Sequence, residues 1–306
     1  SLTVEPPFPP YSPTETITKT ERSSDSVQQK QVGLYAALNY GKGNFSMEGG
    51  GRYNHHSEYG SNFAFNVNPS FFLQKRVKVF ANLSSGYKTP SLYQLFSEYG
   101  NKDLQPESSL NLEGGVQVFS EDQKGNIRLT YFNRRITDAI AFFYNAATFR
   151  SYYINQDKQR DYGLEVDGQY TFSDRLQLRA FYSYVDGKIT TKQGGKDTTY
   201  FNLLRRPKSV LNVTLSTQLT KAFSASLNIN SVGESQDVYF DPVTFASQPI
   251  TLAAYTLVNV YAEYGFLQSR LKVFVDLRNV LDQKYSDIYG YNTARLNAYG
   301  GVRFRF

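Results

Sequence analysis

The chain has 306 residues, a formal net charge of +6 and a mean hydropathy of −0.47, and with no apolar run of about 18 residues it contains no helical membrane span. Tyr (25) and Phe (23) are abundant, Cys and Trp are absent and Met occurs once, a composition that favours pleated strands and points to an all-β protein. The positive charge is scattered and its densest pairs are Arg134-Arg135 and Arg205-Arg206, so there is no basic arm or recognition module and no nucleic-acid partner is expected.

Ser1 opens the chain without a secretion signal, as in a mature, truncated or partial chain. Residues 1–30, which include PPFPPYSPTETITKTERSSDS, predict a Pro/Ser/Thr-rich extended loop. Thereafter period-two alternation predicts strands at 31–39, 44–55, 63–73, 77–87, 110–119, 125–137, 160–172, 176–187, 208–219, 223–232, 255–266, 269–281 and 296–306. Leu211, Val213, Leu215, Thr217 and Leu219 alternate with Asn212, Thr214, Ser216 and Gln218. Leu271, Val273, Val275 and Leu277 alternate likewise with Lys272, Phe274, Asp276 and Arg278.

A soluble sandwich shows the same alternation; the connections separate the two readings. YGKG, QKR, SEDQKG, SDR, KA and LQS are short, while HHSEYGSN, the stretch from Lys88 to Ser109, 138–159, 188–207, 233–254 and 282–295 are longer. Short and long links alternate, which places short turns at one end and long loops at the other, as in outer-membrane barrels with periplasmic turns and extracellular loops. That polarity puts residues 1–30 outside the cell. Thirteen strands cannot close a barrel of even number, so the expectation is that strands precede residue 31 and that 31–306 is the C-terminal part of a barrel. Tyr and Phe gather at strand ends, as in Tyr170-Thr-Phe172 and Tyr182-Ser-Tyr184, where a membrane–water girdle would lie.

Little supports an enzyme. His55 and His56 are the only histidines; as neighbours on a strand they point to opposite faces and cannot chelate one metal, and they read as a solvated loop edge. No metal site is assigned. GxSxG, HExxH and phosphate-binding glycine loops are absent. Glu165 and Asp167 share one face of a polar-in strand and read as lining a wet lumen.

Two segments carry more specific information. Lys88-Thr89-Pro90-Ser91-Leu92-Tyr93-Gln94-Leu95 is followed by Gly100-Asn101-Lys102-Asp103-Leu104-Gln105-Pro106-Glu107. This resembles the barrel signature of TonB-dependent outer-membrane receptors, a K-[AT]-P-x-L-x-[EQ]-L segment and then G-N-x-x-L-x-P-E. NVLDQKY at 279–285 and the terminal Phe306 resemble that family's N-L-F-D-K-x-Y and its closing aromatic. Within the family, NLLRRPK at 202–208 and YSDIYGYNTA at 285–294 are similar to segments of the cobalamin receptors.

The resemblance implies the last thirteen strands or so of a barrel of about 22 strands, a fold whose lumen is plugged, with the plug and the TonB-contacting segment absent from these residues. It implies active import of a scarce nutrient, cobalamin or a related corrinoid first, with a ferric siderophore, haem or glycan as the alternative; a passive porin or adhesin barrel is a reading of a different class. Arg205 and Tyr291 fall on ligand-contacting positions, and a third contact falls on Tyr239 or Phe240. Tyr93, Phe96, Tyr99, Arg206 and Tyr289 are further loop candidates. Tyrosine rings suit the faces of a corrin, and phenols and guanidinium suit its amides; an aromatic, basic vestibule suits iron siderophores as well. Arg205 and Arg206 at a strand end are equally suited to anchoring on lipopolysaccharide phosphates or barrel carboxylates. The implied partners are a small-molecule ligand, outer-membrane lipid and lipopolysaccharide, the TonB complex, the barrel-assembly machinery at Phe306 and a surface lipoprotein. No cofactor is expected here, and the calcium-binding loops of cobalamin receptors would lie upstream.

Overall fold

The computed structural model describes residues 2–4, 15–17, 27–145, 148, 150–193, 196–200, 205–244 and 246–306. After a short antiparallel pair, β1 (Leu2–Val4) and β2 (Glu15–Ile17), the strands are β3 (Gln31–Lys42), β4 (Phe45–His56), β5 (Gly60–Leu73) and β6 (Val77–Lys88). The helix α1 (Leu92–Phe96) precedes β7 (Glu107–Phe119), β8 (Gly125–Asn145), β9 (Arg150–Ser173), β10 (Leu176–Gln193) and β11 (Lys196–Tyr200). The chain continues through β12 (Ser209–Gln218), β13 (Phe223–Val232), β14 (Ser235–Asp241), β15 (Ala246–Leu252), β16 (Tyr255–Phe266), β17 (Leu271–Arg278) and β18 (Asn297–Phe304).

One antiparallel sheet dominates, in the order β3-β4-β5-β6-β7-β8-β9-β10-β12-β13-β16-β17-β18, with β11 folded back on β10. These are the thirteen strands read from the alternation, and every neighbour in the wall is the next wall strand along the chain. β3 and β18 form the two margins, and among the described residues no pairing joins them. Most of residues 1–30, read as a loop, lie outside the described residues.

The pairing sorts side chains onto two faces. Val118, Ile127, Gly168, Ala180, Val213, Ile229 and Val258 follow one another across seven strands; so do Leu215, Leu227, Val260, Leu277 and Ala298 across the last five, from β12 to β18. The opposite face carries Glu113, Arg128, Arg134, Asp161, Glu165, Asp167, Asn212, Asn228 and Asn259. Among the described residues the buried apolar side chains are Pro90, Leu95, Leu104, Ile189 and Leu252, whereas Asn54, His56, Thr130, Gln156, Asp161, Asp237, Glu263 and Asn279 are buried polar ones. This is the reverse of a water-soluble core. A continuous apolar face of this extent is stable only against hydrocarbon.

Local chemistry fits the strands to that arrangement. Pro69 interrupts β5 where it would need to donate to β6, and pairing skips from Val67–Leu83 to Ser70–Phe80; the Asn82 amide donates to Asn68 across the gap. On the polar face Phe132 lies over its direct partner Gly163, where a Cβ would sit 2.6 Å from the ring, and Phe274 covers Gly301 in the same way. Asn228 donates to Asn212 (3.2 Å) and Thr214 (2.9 Å), and Asn259 to Asn228 (3.1 Å). This amide ladder ties three strands together from inside.

The two ends differ as expected, with one correction. Short turns at 43–44, 74–76, 120–124, 174–175, 219–222 and 267–270 lie at one end. At the other end, the connection read as a longer loop from HHSEYGSN is only three residues, 57–59, because β4 and β5 run on to His56 and Gly60. His56 is correspondingly 2% exposed rather than a solvated edge, and its Nδ1 accepts from the N–H groups of Glu58 (3.1 Å) and Tyr59 (3.4 Å). Three other long links are hairpins rather than irregular loops. β8, β9 and β10 have 21, 24 and 18 residues, against about 9–11 needed to span a bilayer. Their far ends therefore project as a hairpin of β8 with β9 and another of β10 with β11, while β14 and β15 form a third, detached from the wall.

The face assignment has a direct test. Leu227→Arg, mid-strand on the apolar face, is expected to cost about 2–4 kcal/mol of barrel stability and to reduce the folded, heat-modifiable fraction in membranes. Ser226→Arg, one residue away on the polar face, is expected to leave that fraction unchanged.

Candidate functional site

The long-loop end holds two clusters. The first forms around Asp237, the third residue of β14, whose side chain is 0% exposed. Arg205 Nε donates to Asp237 Oδ1 (2.8 Å) and the Tyr289 N–H to Oδ2 (2.8 Å), while the Val238 N–H also reaches Oδ1 (2.8 Å). The Arg205 N–H bonds the Gln236 carbonyl (2.7 Å), with Arg205 at φ +57°. Three chain segments thus meet on one carboxylate: the turn before β12, the β14–β15 hairpin and the loop after β17. Burial alone would push that carboxyl up, but the Tyr289 N–H, the Arg205 guanidinium and the Val238 N–H hold it below its ordinary value. Tyr239, two residues along the same face of β14, brings its ring to 4.8 Å from that of Tyr289.

The rest of the hairpin and loop is shaped by similar bonds. Asp241 accepts from the Val243 N–H (2.8 Å) to turn the hairpin, a bond that holds its carboxyl below the ordinary range. At the base of the last loop Asn279, 3% exposed, accepts from the Gln283 N–H (2.9 Å) and donates to the Gln283 carbonyl (2.9 Å), while its own N–H meets Asn259 (2.9 Å). Arg295 donates to Asp282 through Nε (2.8 Å) and lowers its pKa; the Tyr285 ring lies tilted against that of Tyr255, centroids 4.5 Å apart. The Asn, Asp and Tyr of NVLDQKY are therefore loop-forming residues.

Beneath the first cluster, Arg206 lies 3.8 Å from Asp161, which is 1% exposed. Asp161 also accepts from Arg134 and, at 3.0 Å, from Gln159. Arg134 and Arg206 border a cavity of about 540 Å³ on the polar face, shared with Glu113, Thr130, Phe132 and Glu165.

The second cluster is built from the segment after β6. Ser91 caps α1, accepting from the Gln94 N–H (3.2 Å), and the Gln94 side chain accepts from the Ser91 N–H (2.9 Å), a capping box. Leu95 and Leu104 are buried beneath it, and a Cβ at Gly100 would lie 2.6 Å from the Leu95 carbonyl oxygen. Asn101 donates to the Tyr153 carbonyl (3.0 Å), and Glu107 accepts from the Ile140 N–H (2.7 Å), which fixes the segment on the β8–β9 hairpin. Tyr99 meets Phe142 edge-on at 5.3 Å, Phe142 meets Tyr153 at 5.3 Å and Tyr93 stands 6.3 Å from Tyr153. Lys102 lies over Phe96 at 5.6 Å.

Of the residues singled out in the sequence, Arg205, Tyr239 and Tyr289 converge, Arg206 joins the cavity below, and Tyr93, Phe96 and Tyr99 belong to the second cluster. Phe240 points to the opposite side of β14 from Tyr239 and is exposed; Tyr291 sits at the crest of its loop, 71% exposed. Leu203 and Leu204 of NLLRRPK fall outside the described residues. Sequence reasoning missed Asp237 and Asp161. The available signal was an acid two residues before Tyr239, in register on the same strand face, and an acid opposite Arg134.

A family model described as TonB dependent receptor-like, beta-barrel matches residues 3–280. Among solved structures, the siderophore receptor PirA from Acinetobacter baumannii superposes with a TM-score of 0.75 at 20% identity, over 91% of this chain and 46% of that one. The ferripyoverdine receptor of the outer membrane of Pseudomonas aeruginosa gives 0.71 at 18% identity, over 90% and 38%. The FrpB iron transporter from Neisseria meningitidis gives 0.73 at 15% identity, over 91% and 45%. The chain spans less than half the length of each, and identities at this level establish a shared fold.

Replacing Asp237 with Ala is expected to release the β14–β15 hairpin while the wall stays folded. Limited proteolysis should then cut within 235–252 several-fold faster in the variant, with unchanged heat-modifiability. Because the Asp237 carboxyl is held low, its contribution is present above the unfolded value near 3.8 and is lost as pH falls through the lower folded value. The wild-type hairpin should therefore stay protected down to about pH 4 and open only below it.

Proposed function

The chain belongs to the TonB-dependent receptor-like β-barrel family, and on that premise we propose that it forms the wall and outer mouth of a receptor that imports a ferric siderophore. As a barrel of this family it is a multi-pass outer-membrane protein. The observation that carries the reading is the convergence of Arg205, Tyr239 and Tyr289 on buried Asp237, with Arg206 and Arg134 on the cavity beneath. A guanidinium has five N–H donors, and Asp237 takes the one on Nε; the half-exposed Arg205 keeps others for the anionic oxygens of an iron chelate. Tyr239 and Tyr289 supply ring faces and phenol donors for the aromatic or amide groups around such a centre. The reaction is binding followed by passage; the vestibule supplies hydrogen-bond donors, ring faces and fixed charge. Energy for passage would come through the TonB complex, as in the family.

The solved relatives favour iron chelates over corrinoids, since their descriptions name siderophore receptors and an iron transporter. The corrinoid reading rests on the likeness at 202–208 and 285–294 and stands second. Both readings place ligand contacts at Arg205 and Tyr239; the siderophore reading adds Tyr289 and the corrinoid reading Tyr291.

Titration of the full-length protein in detergent separates them. Ferric catecholate or hydroxamate siderophores are expected to quench tyrosine fluorescence saturably at micromolar concentration or below, and cyanocobalamin is expected to leave it unchanged. Saturable binding of cyanocobalamin alone would overturn the siderophore reading. Arg205→Ala and Tyr289→Ala are each expected to weaken siderophore binding about tenfold or more, as loss of a hydrogen bond to a charged group or of an aromatic ligand contact does; Val243→Ser at the hairpin tip should leave it unchanged.

A further inference from the structure

A groove of about 400 Å³ opens on the apolar face near the short-turn end, lined by Val118, Ile127, Gly168, Tyr170, Leu178 and Ala180, with Arg76 at its mouth. Its floor exists because Gly168 and Ala180 are direct cross-strand partners, so two adjacent wall positions carry almost no side chain. The space is not a packing fault: a Cβ on Gly168 would make only ordinary contacts, 3.7 Å to the Asn126 carbonyl oxygen and 3.9 Å to Ile127 Cγ1. Ile127 and Leu178 wall the floor, and Tyr170 closes the turn-side edge, its hydroxyl donating to Asp122 (3.1 Å) in the turn before β8.

Arg76 lies in the turn between β5 and β6 and reaches across to β7, where Nε donates to the Phe119 carbonyl (3.5 Å) and Nη1 pairs with Glu121. That pair is solvated: the Glu121 side chain is 81% exposed. An exposed ion pair of this kind contributes little, so a phosphate can take its place.

We propose that this groove holds one acyl chain of a phospholipid of the periplasmic leaflet, with its phosphate on Arg76. The face belongs to the membrane, so whatever fills an apolar groove in it is hydrocarbon. The short-turn end is the periplasmic end in outer-membrane barrels, which puts phospholipid beside it. Within a bilayer an acyl chain gains no hydrophobic energy on entering a protein groove; it gains close packing against small residues and a charge-assisted bond from guanidinium to phosphate. The small-residue floor and the cation at one end of the groove supply both.

The test is native mass spectrometry of the full-length protein extracted in mild detergent from vesicles of phosphatidylglycerol and phosphatidylethanolamine. The wild-type protein is expected to retain one phospholipid after detergent is stripped. Gly168→Leu fills the floor and is expected to reduce the retained lipid about tenfold, and Arg76→Gln to reduce it similarly, on the order expected for one hydrogen bond to a charged group. Gly300→Leu adds the same bulk to the same face outside the groove, where a Cβ meets only the Phe274 carbonyl oxygen at 3.6 Å, and should retain the wild-type amount. Heat-modifiability identifies folded protein in every sample. Wild-type protein that retains no phospholipid, or Gly168→Leu protein that retains as much as wild type, would overturn the proposal.

Discussion

Backbone N–H and C=O groups in hydrocarbon have no water to bond, so every one of them must be paired within the protein. A continuous antiparallel ladder meets that demand, and the remaining features follow from it. The wall strands pair only with their neighbours in the chain, because each strand must leave the bilayer and return beside its predecessor. The apolar residues then sit outside, and the polar residues face one another across the strands. This is why the wall strands bury polar side chains such as Thr130, Asp161 and Glu263.

A polar interior has to be organised by directional bonds in place of apolar packing. The Asn212–Asn228–Asn259 ladder does so along the wall and ends at the Asn279 N–H, so it also sets the base of the last loop. Glu263 accepts from Lys272 (2.6 Å) and lies 3.5 Å from Arg303, which links the final three strands. Rings over glycine, as with Phe132 and Gly163, remove bare backbone from water where a strand would otherwise be weakest. Each device fixes register as well as adding stability, since a one-residue slip would turn every such group towards lipid.

The wall was legible because its one requirement is written at every second position. Leu211 to Leu219 and Leu271 to Leu277 give strand, face and register together, and Ala298, Gly300, Val302 and Phe304 then take their places opposite the same face of β17. Beyond the membrane the requirement lapses. The outer halves of β8 and β9 pair through Phe143–Tyr152 and Ala139–Gln156 without an apolar-versus-polar rule, so alternation could not announce them and they read as loops. His56 was misjudged for a related reason: its burial comes from backbone N–H groups of the turn at 57–59, a local geometry that residue type does not disclose. The signature segment from Lys88 to Glu107 was recognised as a pattern, yet what the pattern does became visible only in three dimensions. Its Ser, Gln, Asn and Glu cap, brace and anchor a self-contained turn that carries Tyr93, Phe96 and Tyr99.

The two clusters at the long-loop end differ in how they are held, and the difference bears on which can respond to a ligand. Tyr93, Phe96 and Tyr99 ride on a segment with its own capping box, two buried leucines and side-chain bonds to β9, so they form a fixed platform. Arg205, Tyr239 and Tyr289 come from three segments whose shared anchor is one carboxylate. Asp237 is fully buried, so its bonds are strong and costly to leave unmade, yet they are few: the bond to Arg205 and those to two backbone N–H groups of hairpin and loop. On the proposed reading, a ligand that draws on the remaining donors of Arg205 would act on the hairpin and on the loop after β17 through a single group. The wall is held differently, since each strand between its two margins is bonded to a neighbour on both sides. On the proposed reading, motion that accompanies binding would begin at the ion pair of Arg205 with Asp237, the contact that joins these segments.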